Sequence, residues 1–200
     1  MADSTGAQGA GTYELGPGSG RVLIRTGREG LAARAGHDLT LEITDWLARV
    51  TLPGEGGDPA GVTVTADLGL GSLAVREGTG GAKPLSDRDR RDIQNQARKI
   101  LGDAARAGFT SQRVIPSSTS SAGSPTAGAV EGTLTLRGVS RGIRLEVTSP
   151  VPGRYRGSAA IRQTDFGITP YSGFFGALKL RDEVTVEFDV TIKDFQNAGA

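Results

Sequence analysis

The side chains able to do chemistry are few, and each sits in a recognisable pattern. Gly138-Val139-Ser140-Arg141-Gly142 has the G-x-S-x-G spacing that presents a nucleophilic serine on a sharp strand-to-helix turn. Here strand-like sequence flanks it on both sides, Leu134–Arg137 and Ile143–Val147, and the only histidine, His37, precedes the serine instead of following it. The pattern reads as a tight hairpin turn. Gly69-Leu70-Gly71-Ser72-Leu73-Ala74 has the G-x-G-x-x-A spacing of a dinucleotide loop, which needs a helix to open at once and hold the pyrophosphate. Arg76-Glu77-Gly78-Thr79-Gly80-Gly81 cannot open one. Asp165-Phe166-Gly167 spells a kinase metal motif, but no phosphate-cradling loop precedes it. Gly167 reads instead as a bend requirement and Phe166 as a packing residue. His37-Asp38 has the residue types of an acid–base pair, yet neighbours on a strand point to opposite faces.

Composition narrows the chemistry further. The 200 residues contain no Cys, which excludes disulfides, thiolate metal sites and Cys nucleophiles, and one His, which excludes multi-His metal sites. Lys and Arg number 23 against 22 Asp and Glu, so there is no basic footprint for nucleic acid. No apolar run spans a bilayer, and stable membrane insertion is not expected. Met1–Gly6 lacks a basic and then apolar leader, which makes a cytoplasmic protein the expectation.

The elements that must position these residues are mostly strands. Val184, Val186, Phe188, Val190 and Ile192 alternate with polar neighbours, as do Val62–Leu68, Val130–Leu136 and Ile143–Val147. Leu39, Leu41 and Ile43 begin another run. Its apolar parity shifts to Trp46, Ala48, Val50 and Leu52, which predicts a bulge near Thr44–Asp45. Tyr13–Leu15, Arg21–Thr26, Phe109–Ile115 and Tyr155–Arg162 are weaker strands. Ile93, Ala97, Ile100, Leu101 and Ala104 have helical spacing behind the N-cap Ser86, which predicts one helix over about residues 86–104. Its charges, basic Arg88, Arg91 and Arg98 against acidic Asp87, Asp89, Asp92 and Asp103, read as a balanced solvated face. Residues 1–11 and 196–200 read as tails around one domain at 12–195, and Pro53–Gly61 and Pro116–Gly128 as loops. Eight to ten one-sided antiparallel strands must close a sandwich or a barrel. The chain is thus all-β with one α-helix.

The aromatic residues Tyr171, Phe174 and Phe175 cluster with Gly173 and Gly176 between strand regions. They either plug one end of the fold or line and gate an apolar cavity.

Taken in order, several motifs resemble the YceI-like family, the lipocalin-like polyisoprenoid-binding proteins. They are Gly36-His37-Asp38-Leu39 ahead of a long strand, Ser72-Leu73 within Leu68–Val75, and Leu134-Thr135-Leu136-Arg137-Gly138-Val139-Ser140. Thr164-Asp165-Phe166-Gly167-Ile168 with Leu178–Val184 resembles the C-terminal signature, and the helix stands before Phe109-Thr110-Ser111 as the family's does. The resemblance covers about residues 12–193. It implies a lipocalin-like antiparallel β-barrel of about eight strands that holds an isoprenoid or similar long apolar ligand, with no enzymatic reaction and no cofactor. Lining is then expected from Trp46, Val64, Leu134, Leu136, Val186 and Phe188. A gate is expected from Phe109, Phe166, Tyr171, Phe174 and Phe175, and head-group contacts from His37 and Arg162. A cavity-free partner-binding barrel, an enzyme built on His37, and a homodimer stay open at this point.

Overall fold

The alternating segments become strands in a computed structural model that describes residues 10–53, 58, 61–102, 105–119 and 125–192. In chain order these are β1 (Gly11–Leu15), β2 (Gly20–Glu29), β3 (Asp38–Ile43), β4 (Trp46–Leu52), β5 (Thr63–Gly69) and β6 (Leu73–Thr79). After the helix α1 (Asp87–Leu101) come β7 (Arg106–Thr119), β8 (Pro125–Leu136), β9 (Val139–Val151), β10 (Arg154–Arg162), the short β11 (Ser172–Gly173) and β12 (Leu178–Thr191). They form one antiparallel sheet in the order β1-β4-β5-β7-β8-β9-β10-β12-β2-β3-β6, with β11 on β12.

That order conceals a ring. β1 and β2 pair in turn with β4 and β3, and the register resumes after a short insertion, Leu15 opposite Ala48 and Val22 opposite Ile43. β4 and β3 likewise pair with β5 and β6, Trp46 opposite Leu68 and Ile43 opposite Leu73. Each of β1–β2, β3–β4 and β5–β6 is therefore one long strand with a kink. With β7, β8, β9, β10 and β12, the sheet closes as an eight-stranded barrel.

The kinks have a local cause. Backbone N–H groups of Thr44 and Asp45 both donate to Ser72 Oγ, at 3.0 and 2.9 Å, and Ser72 Oγ donates to the Gly69 carbonyl at 2.7 Å. One hydroxyl thus satisfies the donors that the break in β3–β4 frees. The parity change predicted at Thr44–Asp45 lies there, and Ile43 and Trp46 on its two sides are both buried.

The helix is Asp87–Leu101, and residues 103–104 of its predicted span lie outside the described residues. Ser86 and Asp89 form a reciprocal capping box: Asp89 N–H donates to Ser86 Oγ at 3.2 Å and Ser86 N–H to Asp89 Oδ2 at 2.9 Å. α1 covers the stretch of β6 that β7 does not reach. Arg90 Nη1 donates to the Val75 carbonyl, Gln94 Nε2 to that of Leu73 and Arg98 Nε to that of Gly71. Four helical residues rise about 6 Å and two strand residues about 6.6 Å, so the two repeats match. A side-chain ladder takes the place of the missing strand.

The expected loop Pro116–Gly128 is corrected. β7 runs on to Thr119 and β8 starts at Pro125, with Ile115 opposite Ala129 and Pro116 opposite Gly128. Small polar residues carry no alternation, but their backbones pair, and register shifts beside Pro116 absorb its missing donor. Residues 120–124 lie outside the described residues, as do residues 1–9, 193–200 and most of Pro53–Gly61. Gly138-Val139-Ser140-Arg141-Gly142 spans a hairpin. Arg137 and Gly138 make its turn at φ 53° and 77°, and Ser140 lies on β9 sharing a 2.8 Å hydrogen bond with Thr135.

At the end away from α1, Arg154 forks onto both carboxylate oxygens of Asp189, at 2.8 and 2.7 Å, and Arg156 Nε adds a third bond at 2.9 Å. The Arg154 guanidinium, followed by Arg156, holds the Asp189 carboxyl down from 3.8 to about 2. A lowered folded-state value stabilises the protein above pH 3.8 and loses that effect as pH falls through about 2. Asp189→Asn is expected to lose less stability than wild type between those two pH values, in urea melts run at a series of acidic pH values. The partners are partly exposed, so salt should shrink the difference.

Candidate functional site

The inward faces of the strands do not meet. They enclose a cavity of about 1600 Å³ that runs the length of the barrel. Trp46, Val64, Phe109, Leu134, Leu136, Val186 and Phe188 line it, together with His37 and Tyr171. α1 adds Ile93, Ala97 and Ile100 from its apolar stripe, residues the helical spacing already singled out without assigning them to a ligand site.

Two wall glycines keep the lumen open. A Cβ on Gly157 would lie 2.5 Å from the Phe188 ring, and one on Gly132 would lie 2.6 Å from the Phe109 ring. Each ring therefore lies along the wall over a neighbouring strand's glycine instead of standing across the lumen. Gly157→Ala is expected to displace Phe188 inward, to cost about 1–3 kcal/mol of stability as an overpacked core does, and to weaken binding of any long ligand. Gly142→Ala, where a Cβ meets nothing within 4 Å, is the control and should change neither. Urea melts and a ligand titration of both variants check this.

The two ends differ in charge. At the helix end the lumen meets Arg28, His37, Lys83, Asp89 and Gln163, and at the other end uncharged groups such as Pro53, Pro116, Thr126, Ser149, Pro150 and Val151. His37 Nε2–H donates to the Lys83 carbonyl at 2.8 Å, and a Cβ on Gly81 would fall 2.4 Å from the same ring. Asp38 is occupied elsewhere, accepting from the Arg28 N–H at 2.9 Å. The adjacent pair is thus split between two environments, as strand geometry requires.

Other sequence candidates lie off the lumen. Arg162 is exposed, because Ala159 and Ile161 take the inward parity of β10 and leave Arg162 outside. Phe166 is buried in the tight turn that Gly167 closes at φ 67°, and it packs in the core without reaching the cavity. Phe175 is fully exposed, turned outward by a backbone φ of 54°. The side chain of Phe174 lies outside the described residues. No helix among the described residues is long and apolar enough to cross a membrane.

The fold has a counterpart among solved structures. Among solved structures, BcnA of Burkholderia cenocepacia superposes with a TM-score of 0.55 at 17% identity, over 84% of this chain and 94% of that one. The YCEI protein of Campylobacter jejuni gives a TM-score of 0.43 at 15% identity, over 77% of this chain and 85% of that one. At such identity the likeness to BcnA speaks for the fold alone. No curated protein matches the sequence. Residues 93–192, half of the chain and running from the covering helix to the last strand, match the YceI-like domain, and the chain belongs to that family.

Proposed function

We propose that this chain is a carrier that holds one long apolar molecule, an isoprenoid or a similar chain, inside the barrel and performs no reaction on it. The lumen carries this reading. Its roughly 1600 Å³ exceeds the ~300–1,000 Å³ of ordinary small-molecule pockets, and its wall is mostly aliphatic and aromatic. Each CH₂ moved into it from water gains about 0.8 kcal/mol, so a chain of isoprene units is retained without a catalytic group. Trp46, Phe109, Leu134 and Leu136 would grip the chain along the wall, and Tyr171 with His37 would flank its polar head at the helix end. The hydrogen bond from His37 to a backbone carbonyl favours a positioned donor over an acid–base pair.

The test is native mass spectrometry of protein purified from its own host, followed by titration of stripped protein with a fluorescent isoprenoid. One lipid per chain and saturable binding are expected. No co-purified lipid together with no saturable binding would overturn the proposal.

A further inference from the structure

We propose that the helix end of the barrel docks on a lipid bilayer through Leu31 and Phe175. These are the two most exposed large apolar side chains among the described residues, both fully open to solvent. Leu31 follows β2 and Phe175 precedes β12, and their loops are tied together. Ala32 N–H donates to the Ala177 carbonyl at 2.9 Å, and a Cβ on Gly30 would lie only 2.4 Å from the same oxygen. The two apolar side chains are therefore presented from adjoining, fixed loops.

Phe175 adds a second observation. Its φ of 54° lies in the left-handed region that bulky residues rarely enter. That conformation costs energy, and among the described residues the ring packs on nothing that would offset it. An aromatic held outward at such a cost is placed for an external apolar phase.

The same loops border the opening of the lumen. Ala35 and Gly36, just beyond Leu31, and Leu178, just beyond Phe175, line the cavity, and Ala35 is itself exposed. A long apolar ligand insoluble in water has to enter from a phase that dissolves it. Two apolar side chains beside the mouth would bring that phase to the lumen. The patch is far smaller than the 20–30 residues a side of a stable protein interface, which favours a bilayer over a protein partner. Arg34 and Lys179 beside it are exposed and form no ion pair among the described residues, Lys179 standing opposite Glu29 in register. Such cations fit an anionic interface. Asp89 and Asp92 stand on α1 at the same mouth, so the charge effect should be smaller than the apolar one.

This inference rests on the carrier reading for its purpose, but its test contains no ligand. The full chain is sedimented with vesicles of phosphatidylcholine alone and of phosphatidylcholine with phosphatidylglycerol. Binding to both, stronger to the second, is expected. Leu31→Ser with Phe175→Ser should weaken binding at least about tenfold with an unchanged urea melt, the equivalent of losing partial burial of two apolar side chains. Arg34→Ala with Lys179→Ala should remove only the preference for phosphatidylglycerol. No sedimentation with either vesicle would overturn the proposal, and so would equal binding by the Leu31 and Phe175 variant. A dimer in ultracentrifugation that this variant abolishes, without vesicle binding, would assign the patch to a second copy and overturn it too. Failure of wild type to bind a fluorescent isoprenoid in solution would strike the carrier reading and leave the vesicle result standing.

Discussion

Ile43→Asp is expected to leave little folded protein at room temperature, whereas Thr185→Glu should be within about 0.5 kcal/mol of wild type. Ile43 is only 1% exposed, the most completely buried large side chain among the described residues. It sits on β3 between Val22 of β2 and Leu73 of β6, one residue before the kink that Ser72 holds. Removing it forfeits about 1.5–3 kcal/mol of burial. The new carboxylate would have no partner, which adds several kcal/mol or forces it to protonate. The sum is comparable to the whole stability of an ordinary domain, about 5–15 kcal/mol. Thr185 lies on the outer face of β12, opposite Ala160 on one side and Arg25 on the other. A glutamate there meets water and a guanidinium. Urea melts of both variants decide the matter, and equal, mild effects would remove the inward and outward assignment of the strands.

That assignment was readable in the sequence because each strand separates water from an apolar interior, and Val184–Ile192 alternates without a break. The kink was readable for the same reason: Ile43 and Trp46 can both face inward only if the chain gains a step at Thr44–Asp45. Ser86 and Asp89 announced the helix start by their spacing. What failed had physical causes. Pro116–Gly128 has too few apolar residues to alternate, so its strand pairing is invisible in the side chains. Arg162 has the residue type of a head-group contact, although the inward parity of Ala159 and Ile161 already excludes it from the lumen. Phe175 has the residue type of a lining group, but a left-handed backbone decides where it points, and no neighbour in sequence signals that. Whether the barrel is filled or hollow depends on Phe109 lying over Gly132 and Phe188 over Gly157, pairs about twenty to thirty residues apart in the chain.

A hollow interior changes what an inward charge does. Val186→Glu is therefore expected to destabilise far less than Ile43→Asp while nearly abolishing binding of an apolar ligand. Val186 stands in a row of inward side chains with Ala159, Ile24, Leu41 and Val75, and it is half-buried on the lumen wall, whereas Ile43, which also borders the lumen, is almost wholly covered by its neighbours. Its carboxylate could draw water into a space of about 1600 Å³, which spares it the penalty of dry burial. A long apolar ligand would have to expel that water and leave the charge without a partner, at a cost of several kcal/mol. Affinity should then fall a hundredfold or more, since each tenfold is about 1.4 kcal/mol. Val186→Ala separates charge from lost contact, because it removes two methyl groups and should weaken binding only about tenfold. The measurement is a fluorescent isoprenoid titration beside a urea melt for wild type and both variants. If Val186→Glu binds as tightly as wild type, the ligand does not occupy this part of the lumen. If Val186→Glu unfolds as readily as Ile43→Asp, the interior at β12 is a packed core, and the carrier loses the space it needs.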